Sequence, residues 1–277
     1  GIDYLNESGS FNLELSGSDT VFAKKGESHL GIYAHYQKDL SPFILNLGVR
    51  TENHKSNMNT VFKIGPSFLL ADYKLKIYSL FSTGFKTPSL YQLHSQYGNI
   101  NLQSETSSHL EFGVEQKINQ GLYKISVFKT DIKNLIDVTG NFPNYLYENS
   151  SAIIIKGIAF ESKFSLLPKY LDYHISAQKL YAINKATGAY LINRPHLKLT
   201  QSIKINFKDD NLLFTHIFTS ERNGGSTTAP VTLPEHHLIN FNYGYKLTKE
   251  LLFNGSVINL FDKDYQQVSG FHTGGRT

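Results

Sequence analysis

Amphipathic segments of period two, joined alternately by a tight turn and a longer connection, constrain this chain more than any other feature. Tight turns are read at Asp39-Leu40-Ser41, Ala71-Asp72, Ile118-Asn119-Gln120-Gly121, Pro168-Lys169-Tyr170, Lys208-Asp209-Asp210 and Leu247-Thr248-Lys249. Longer connections fall between them at 9–27, 53–58, 84–106, 132–152, 184–195 and 222–236. In 196–207, Leu197, Leu199, Ile203, Ile205 and Phe207 share one face with Gln201 as a polar exception, while His196, Lys198, Thr200, Ser202, Lys204 and Asn206 share the other. The split recurs in 42–50, where Phe43, Leu45, Leu47 and Val49 oppose Asn46, Gly48 and Arg50, and in 109–117, where Leu110, Phe112 and Val114 oppose His109, Glu111, Glu115 and Lys117. Alternation of this kind marks a strand, whose successive side chains point to opposite faces.

The pattern predicts about thirteen strands, near 1–8, 28–38, 42–52, 59–70, 73–83, 107–117, 122–131, 153–166, 171–183, 196–207, 211–221, 237–246 and 250–260. Most have the ~9–11 residues that a tilted strand needs to cross a bilayer. The polar faces carry too many lysines to be the inside of a packed soluble core. A meander with tight turns at one rim and long connections at the other is the layout of a bacterial outer-membrane barrel, turns in the periplasm and loops outside. The expected fold class is therefore all-β, a transmembrane antiparallel up-and-down β-barrel occupying residues 1–277.

Composition is compatible with that expectation. The chain has 17 Tyr and 19 Phe but no Trp and no Cys, so disulfide staples and thiolate chemistry are excluded. No apolar run approaches the ~20 residues of a membrane helix. The mean hydropathy of -0.28 suits a barrel, in which only alternate residues meet lipid. A net charge of +4, small and dispersed, gives no reason to expect nucleic acid as a partner. Single-chain bacterial barrels are even-stranded because their ends must pair. The odd count, and a further strand read from Val268, lead to the expectation of a partial barrel lacking its closing strand.

Three stretches go beyond periodicity. The first is Gly84-Phe85-Lys86-Thr87-Pro88-Ser89-Leu90-Tyr91-Gln92-Leu93 with Tyr97-Gly98-Asn99-Ile100-Asn101-Leu102-Gln103-Ser104-Glu105-Thr106. The second is Asp131-Ile132-Lys133-Asn134-Leu135-Ile136-Asp137, with Ile155-Lys156-Gly157 after its loop. The third is Asn259-Leu260-Phe261-Asp262-Lys263-Asp264-Tyr265. In order and spacing they resemble the C-terminal barrel portion of TonB-dependent outer-membrane receptors of the cobalamin and siderophore type, with Thr87, Ile100 and Ser104 as departures from the family pattern. The resemblance implies a wall of about 22 strands around an N-terminal plug, with cargo imported on energy delivered by TonB. Outer-membrane lipid, the receptor's own plug, the TonB complex and a metal-chelate ligand are the partners it implies, in the outer membrane of a Gram-negative bacterium. Nothing in the chain resembles the plug, and no cofactor is implied.

The motif residues also have plain structural readings. Phe85 and Lys86 end a strand that Pro88, unable to donate a ladder hydrogen bond, terminates. Gly98, Asn99, Leu102 and Glu105 shape the same loop, and Asn259, Leu260, Phe261, Asp262 and Tyr265 close a strand with turn-forming residues. The resemblance places a haem ligand of some family members near His94, and a neutral imidazole there has the chemistry for it. The short connection from Leu93 to Gly98 resembles the cobalamin and siderophore version instead, so His94 is read as an ordinary loop histidine. His236 and His237 lack a third metal ligand in register. No nucleophile elbow, zinc-protease motif or phosphate loop is present, and the chain is not read as an enzyme. Candidate cargo contacts are the outer-loop aromatics and cations Tyr91, Tyr97, Phe142, Tyr145, Tyr147, Arg194 and Arg222, because flat or anionic chelates suit rings and guanidinium groups. The cargo stays open between a siderophore, cobalamin and haem, with a plug-free porin-like channel as the alternative class.

Overall fold

A computed structural model describes residues 1–15, 18–54, 57–141, 144–225 and 229–277. The strands are β1 (Ile2–Leu15), β2 (Ser18–Leu40), β3 (Phe43–His54), β4 (Asn57–Leu70), β5 (Leu75–Lys86), β6 (Glu105–Ile118), β7 (Gly121–Asn141), β8 (Asn144–Leu167) and β9 (Leu171–Asn184). They continue with β10 (Leu197–Phe207), β11 (Asp210–Thr219), β12 (Arg222–Gly225), β13 (Pro230–Leu233), β14 (His236–Lys246), β15 (Leu252–Val257), β16 (Gln266–Val268) and β17 (Phe271–His272). One short helix, α1 (Leu90–His94), follows β5. Thirteen strands form one sheet in the order β1 to β11, then β14 and β15, each antiparallel to its neighbours. This is the wall of an up-and-down barrel.

Pairing register carries the alternation across the sheet. Leu199, Ile203 and Ile205 sit opposite Phe218, Phe214 and Leu212 on one side and Ala177, Tyr173 and Leu171 on the other. Phe43, Leu47 and Val49 likewise meet Phe68, Ile64 and Phe62. One face is thus an apolar band made by neighbouring strands together, which is what lipid requires. Gln201, the polar exception, is satisfied laterally: the Tyr173 hydroxyl donates to its Oε1, and its Nε2 lies 3.4 Å from His216 Nδ1. The opposite face holds ion pairs and hydrogen bonds, among them Arg50 with Asp3 and Glu52 and Tyr78 donating to Glu111 at 2.7 Å. On that inner face a Cβ on Gly157 would lie 2.5 Å from the Phe128 ring, so glycine lets the ring lie flat against the ladder.

Outward-facing lysines mark the top of the wall. Lys129 and Lys156 are directly opposed across β7 and β8, one step above Val127 and Ile158 on the same face. Both lie near the far end of a ~9–11-residue span counted from the tight turns, and the Lys129 ammonium pairs with Asp131 at 2.8 Å.

Several expected boundaries move. The connections read at 9–27 and 132–152 are largely strand: the β1–β2 ladder continues to Leu15 opposite Ser18, and β7–β8 continues to Asn141 opposite Asn144. Beyond the bilayer neither hairpin face has to be apolar, so period two fades while the hydrogen-bonded ladder persists. The connection at 222–236 contains the small β12–β13 hairpin. The strand expected from Val268 is instead the separate β16–β17 hairpin, turned at Gly270 with φ of 84°, where glycine is the residue without steric cost. The chain returns to the main sheet at Thr277, which exchanges backbone hydrogen bonds of 2.7 and 3.2 Å with Ile258.

The register yields a test. Nitroxide labels at Leu199, Ile203 and Ile205 in a lipid-reconstituted receptor are expected to collide with dissolved oxygen, while labels at Thr200 and Ser202 report a polar interior. Reversed or patternless accessibility overturns the assignment of faces, since a one-residue slip inverts every side chain.

Candidate functional site

The loop after β5 is built to be held down. Pro88 ends the strand, and Ser89 caps α1 through a reciprocal pair: Gln92 N donates to Ser89 Oγ at 3.2 Å and Ser89 N to Gln92 Oε1 at 3.0 Å. Such a capping box satisfies two of the orphan donors of a helix start. Leu90 and Leu93 are buried beneath the turn, and α1 packs against β1 and β2. Gly98 follows at a close approach of backbone to backbone, where an added Cβ would sit 2.7 Å from the Leu93 carbonyl oxygen.

Asn99 then ties this loop to the β7–β8 hairpin. Its Nδ2 donates to the Tyr147 carbonyl at 3.0 Å and its Oδ1 accepts from Asn101 N at 2.9 Å. Tyr147 N donates to the Tyr97 carbonyl at 2.9 Å. Asn149 continues the seam, accepting from Gln103 N at 2.8 Å and donating to the carbonyls of Gln103 and Asn134. Glu105, buried at the start of β6, accepts from Ile136 N at 3.1 Å and pairs with Lys86 at 3.3 Å. Leu102 N donates to the Asn99 carbonyl. In the structure these motif residues therefore bind one loop to the next.

The clamp brings four of the candidate aromatics together. Tyr91 meets Tyr147 edge-to-face with centroids 6.2 Å apart, and Tyr97 meets Tyr145 in the same way at 5.9 Å. Tyr91 and Tyr145 remain exposed. Burial, with Tyr91 and Asp137 adding, raises the Tyr147 phenol above its ordinary value, so the hydroxyl stays protonated and able to donate. Arg194 is exposed on the neighbouring loop, with one long contact to its own neighbour's carbonyl. Phe142 lies outside the described residues.

Arg222 does not point outward as expected. It is 4% exposed, donates through Nη2 to the Gln266 carbonyl at 2.5 Å, and burial lowers its pKa. Its four-residue strand β12 turns it beneath the β16–β17 hairpin, whose Gln266 and Gln267 carbonyls accept from Nη2 while buried Nη1 has no acceptor among the described residues. His236, 5% exposed, packs tilted against Tyr265 with ring centroids 4.6 Å apart. Burial lowers its pKa, the Arg222 charge lowers it further, and a backbone hydrogen bond at Pro234 opposes them. Asn259, with φ of 54°, accepts from Lys263 N and donates to the Lys263 carbonyl, both at 2.9 Å. Asp262 accepts from Arg276 N at 2.7 Å, and Leu260 N donates to the Ile239 carbonyl. Phe261 is exposed.

Two predictions follow from these contacts. Asn99→Ala removes two hydrogen bonds at a part-buried seam, at about 1 kcal/mol each, so amide exchange at 97–103 and 145–149 should quicken while the wall strands keep their protection. His236 favours its neutral form when folded, so its stabilisation is present above the ordinary imidazole range and is lost as pH falls. Exchange in 222–236 and 262–277, corrected for intrinsic rate, should therefore rise on acidification, and His236→Phe should remove that dependence.

Comparison with known proteins agrees with this geometry. Residues 1–260 match the family described as TonB dependent receptor-like, beta-barrel. A mutant of the ferric enterobactin receptor PfeA from Pseudomonas aeruginosa superposes with a TM-score of 0.78 at 20% identity, over 91% of this chain and 44% of that one. The ferric-catecholate import receptor Fiu from E. coli K12 gives 0.74 at 17%, over 99% and 49%. The copper transporter OprC gives 0.78 at 15%, over 99% and 53%. At these identities the likeness is one of fold, and the chain spans about half the length of the structures it matches. With the family match covering nearly all of the wall, the chain belongs to the TonB-dependent receptor β-barrels, a family of outer-membrane receptors and transporters rather than of enzymes.

Proposed function

We propose that this chain is the cargo-facing part of the wall of a receptor that takes up a metal chelate, a ferric siderophore above other cargoes, across the outer membrane of a Gram-negative bacterium. The observation that carries the proposal is the clamped quartet Tyr91, Tyr97, Tyr145 and Tyr147, with Arg194 on the next loop. Rings held edge-to-face present preorganised planes and hydroxyls to a flat ligand, and an exposed guanidinium offers a fork to its anionic oxygens. Preorganisation of this kind lowers the entropy cost of binding. The solved structures similar in fold include receptors for ferric enterobactin and ferric catecholates, which agrees in cargo class. A plug inside the wall and energy supplied through TonB belong to the same proposal, as does the orientation with the tight turns in the periplasm.

Haem is disfavoured by the surroundings of His94. Its side chain is 16% exposed and its Nε2 lies 4.0 Å from Glu27 on the wall, so the ring is engaged inside the barrel mouth and not presented to an incoming macrocycle. A chelate that brings its metal already coordinated needs no axial ligand from the protein.

The test is uptake and binding by the complete receptor. Tyr145→Ala, Tyr147→Ala and Arg194→Ala should each weaken ferric-siderophore binding by about tenfold or more if they sit at the centre of the contact. Haem-dependent growth that is supported by the wild type and abolished by His94→Ala alone would reverse the cargo assignment while leaving fold and family unchanged.

A further inference from the structure

Away from the tyrosines, on the inner face near the outer mouth, β1 and β2 assemble a different chemistry. The register sets Glu7 opposite Glu27 and puts His29 one inward position along β2. One ligand atom from each of these three residues can be chosen so that all lie within 4.8 Å of one another. Glu27 and His29 are 9% and 7% exposed, whereas Glu7 stays accessible. Glu27 and His94 both line a cavity of about 510 Å³.

A second observation concerns the direction of the imidazole. His29 Nδ1 lies 3.4 Å from Glu52 Oε1, and Glu52 is itself held by Arg50 through Oε2 at 2.7 Å. A carboxylate that takes the proton on one ring nitrogen leaves the lone pair on the other, the arrangement that orients metal-binding histidines. The other nitrogen, Nε2, faces Glu7 Oε1 at 3.5 Å. Two ligands each ~2.0–2.1 Å from a tetrahedral ion lie about 3.4 Å apart, so this pair is already at metal-spanning separation. Glu27 needs a small side-chain adjustment to complete the third contact.

We infer that Glu7, Glu27 and His29 form a divalent-cation site on the inner wall, with Glu52 as the positioning residue and His94 of α1 flanking Glu27. Two carboxylates and one imidazole suit a zinc-like ion of borderline softness. The site differs from the proposed chelate contact in place and in chemistry: it takes a bare ion, where the tyrosine quartet takes a ligand that wraps its own. A bound ion would neutralise clustered carboxylates where α1 packs on β2, fixing the base of the loop that carries Tyr91 and Tyr97.

The experiment uses the complete receptor purified in detergent and metal salts alone. Zn²⁺ is titrated by calorimetry and Co²⁺ by its visible absorption, in the wild type and in His29→Ala, Glu27→Gln and Glu52→Gln. The wild type should bind one ion more than His29→Ala, with Co²⁺ bands of low-coordinate intensity that the variant lacks. Glu27→Gln, which keeps side-chain size and so guards against misfolding, should weaken Zn²⁺ by about tenfold or more, and Glu52→Gln by about 10–100-fold because the His29 ring loses the carboxylate that orients it. Zn²⁺ isotherms for Glu27→Gln and His29→Ala that superpose on the wild type overturn the site, as does a wild type that binds no Zn²⁺. In either case His29 is left as a side chain bridging Glu7 and Glu52. Since no chelate enters the assay, failure here leaves the uptake proposal standing, and failure of chelate uptake leaves this site standing.

Discussion

A backbone immersed in hydrocarbon has no water to satisfy its amides, and the lateral ladder that satisfies them governs the rest of this structure. Each strand must pair on both sides, which accounts for the unbroken antiparallel order from β1 to β11 and on through β14 and β15. Side-chain composition follows from that ladder, with the outward face apolar and the inward face free to hold ion pairs such as those of Arg50. Even Gln201 obeys it, since its amide is satisfied sideways by Tyr173 and His216.

The same ladder outlives the membrane. β2, β7 and β8 have 23, 21 and 24 residues, beyond the ~9–11 that crossing requires, and their excess stands above the wall as hairpins. This rise makes a site possible. It gives the loop after β5 something firm to dock on, through Asn99 and Asn149, and the docking gathers the tyrosines. In the proposed uptake, function is carried by loops on a rigid scaffold, and the scaffold reaches into the loops themselves.

Motifs that make the family legible turn out to be fastening points. Gly98 permits a close backbone approach, Asn99 bridges two loops, Glu105 anchors β7 to β6, and Asn259 closes the turn after β15. In the proposed uptake, cargo contact falls instead to side chains that are exposed, Tyr91, Tyr145 and Arg194 among them. This division is consistent with proteins named for ferric enterobactin and for copper sharing the fold.

The sequence by itself determined the strand count of the wall, the two faces, the alternating rims and the family, because period two and turn chemistry are local and lipid imposes them on every strand. It misjudged 9–27 and 132–152, where the ladder continues without the lipid face that makes strands visible. Only the tertiary structure decided that Arg222 is buried, that four tyrosines converge, and that Glu7, Glu27 and His29 meet beside His94. Those facts depend on register between strands and on docking between segments as far apart as Gln103 and Asn149, 46 positions along the chain. No local pattern encodes such separations, since they are fixed by which backbone groups pair once the wall has formed.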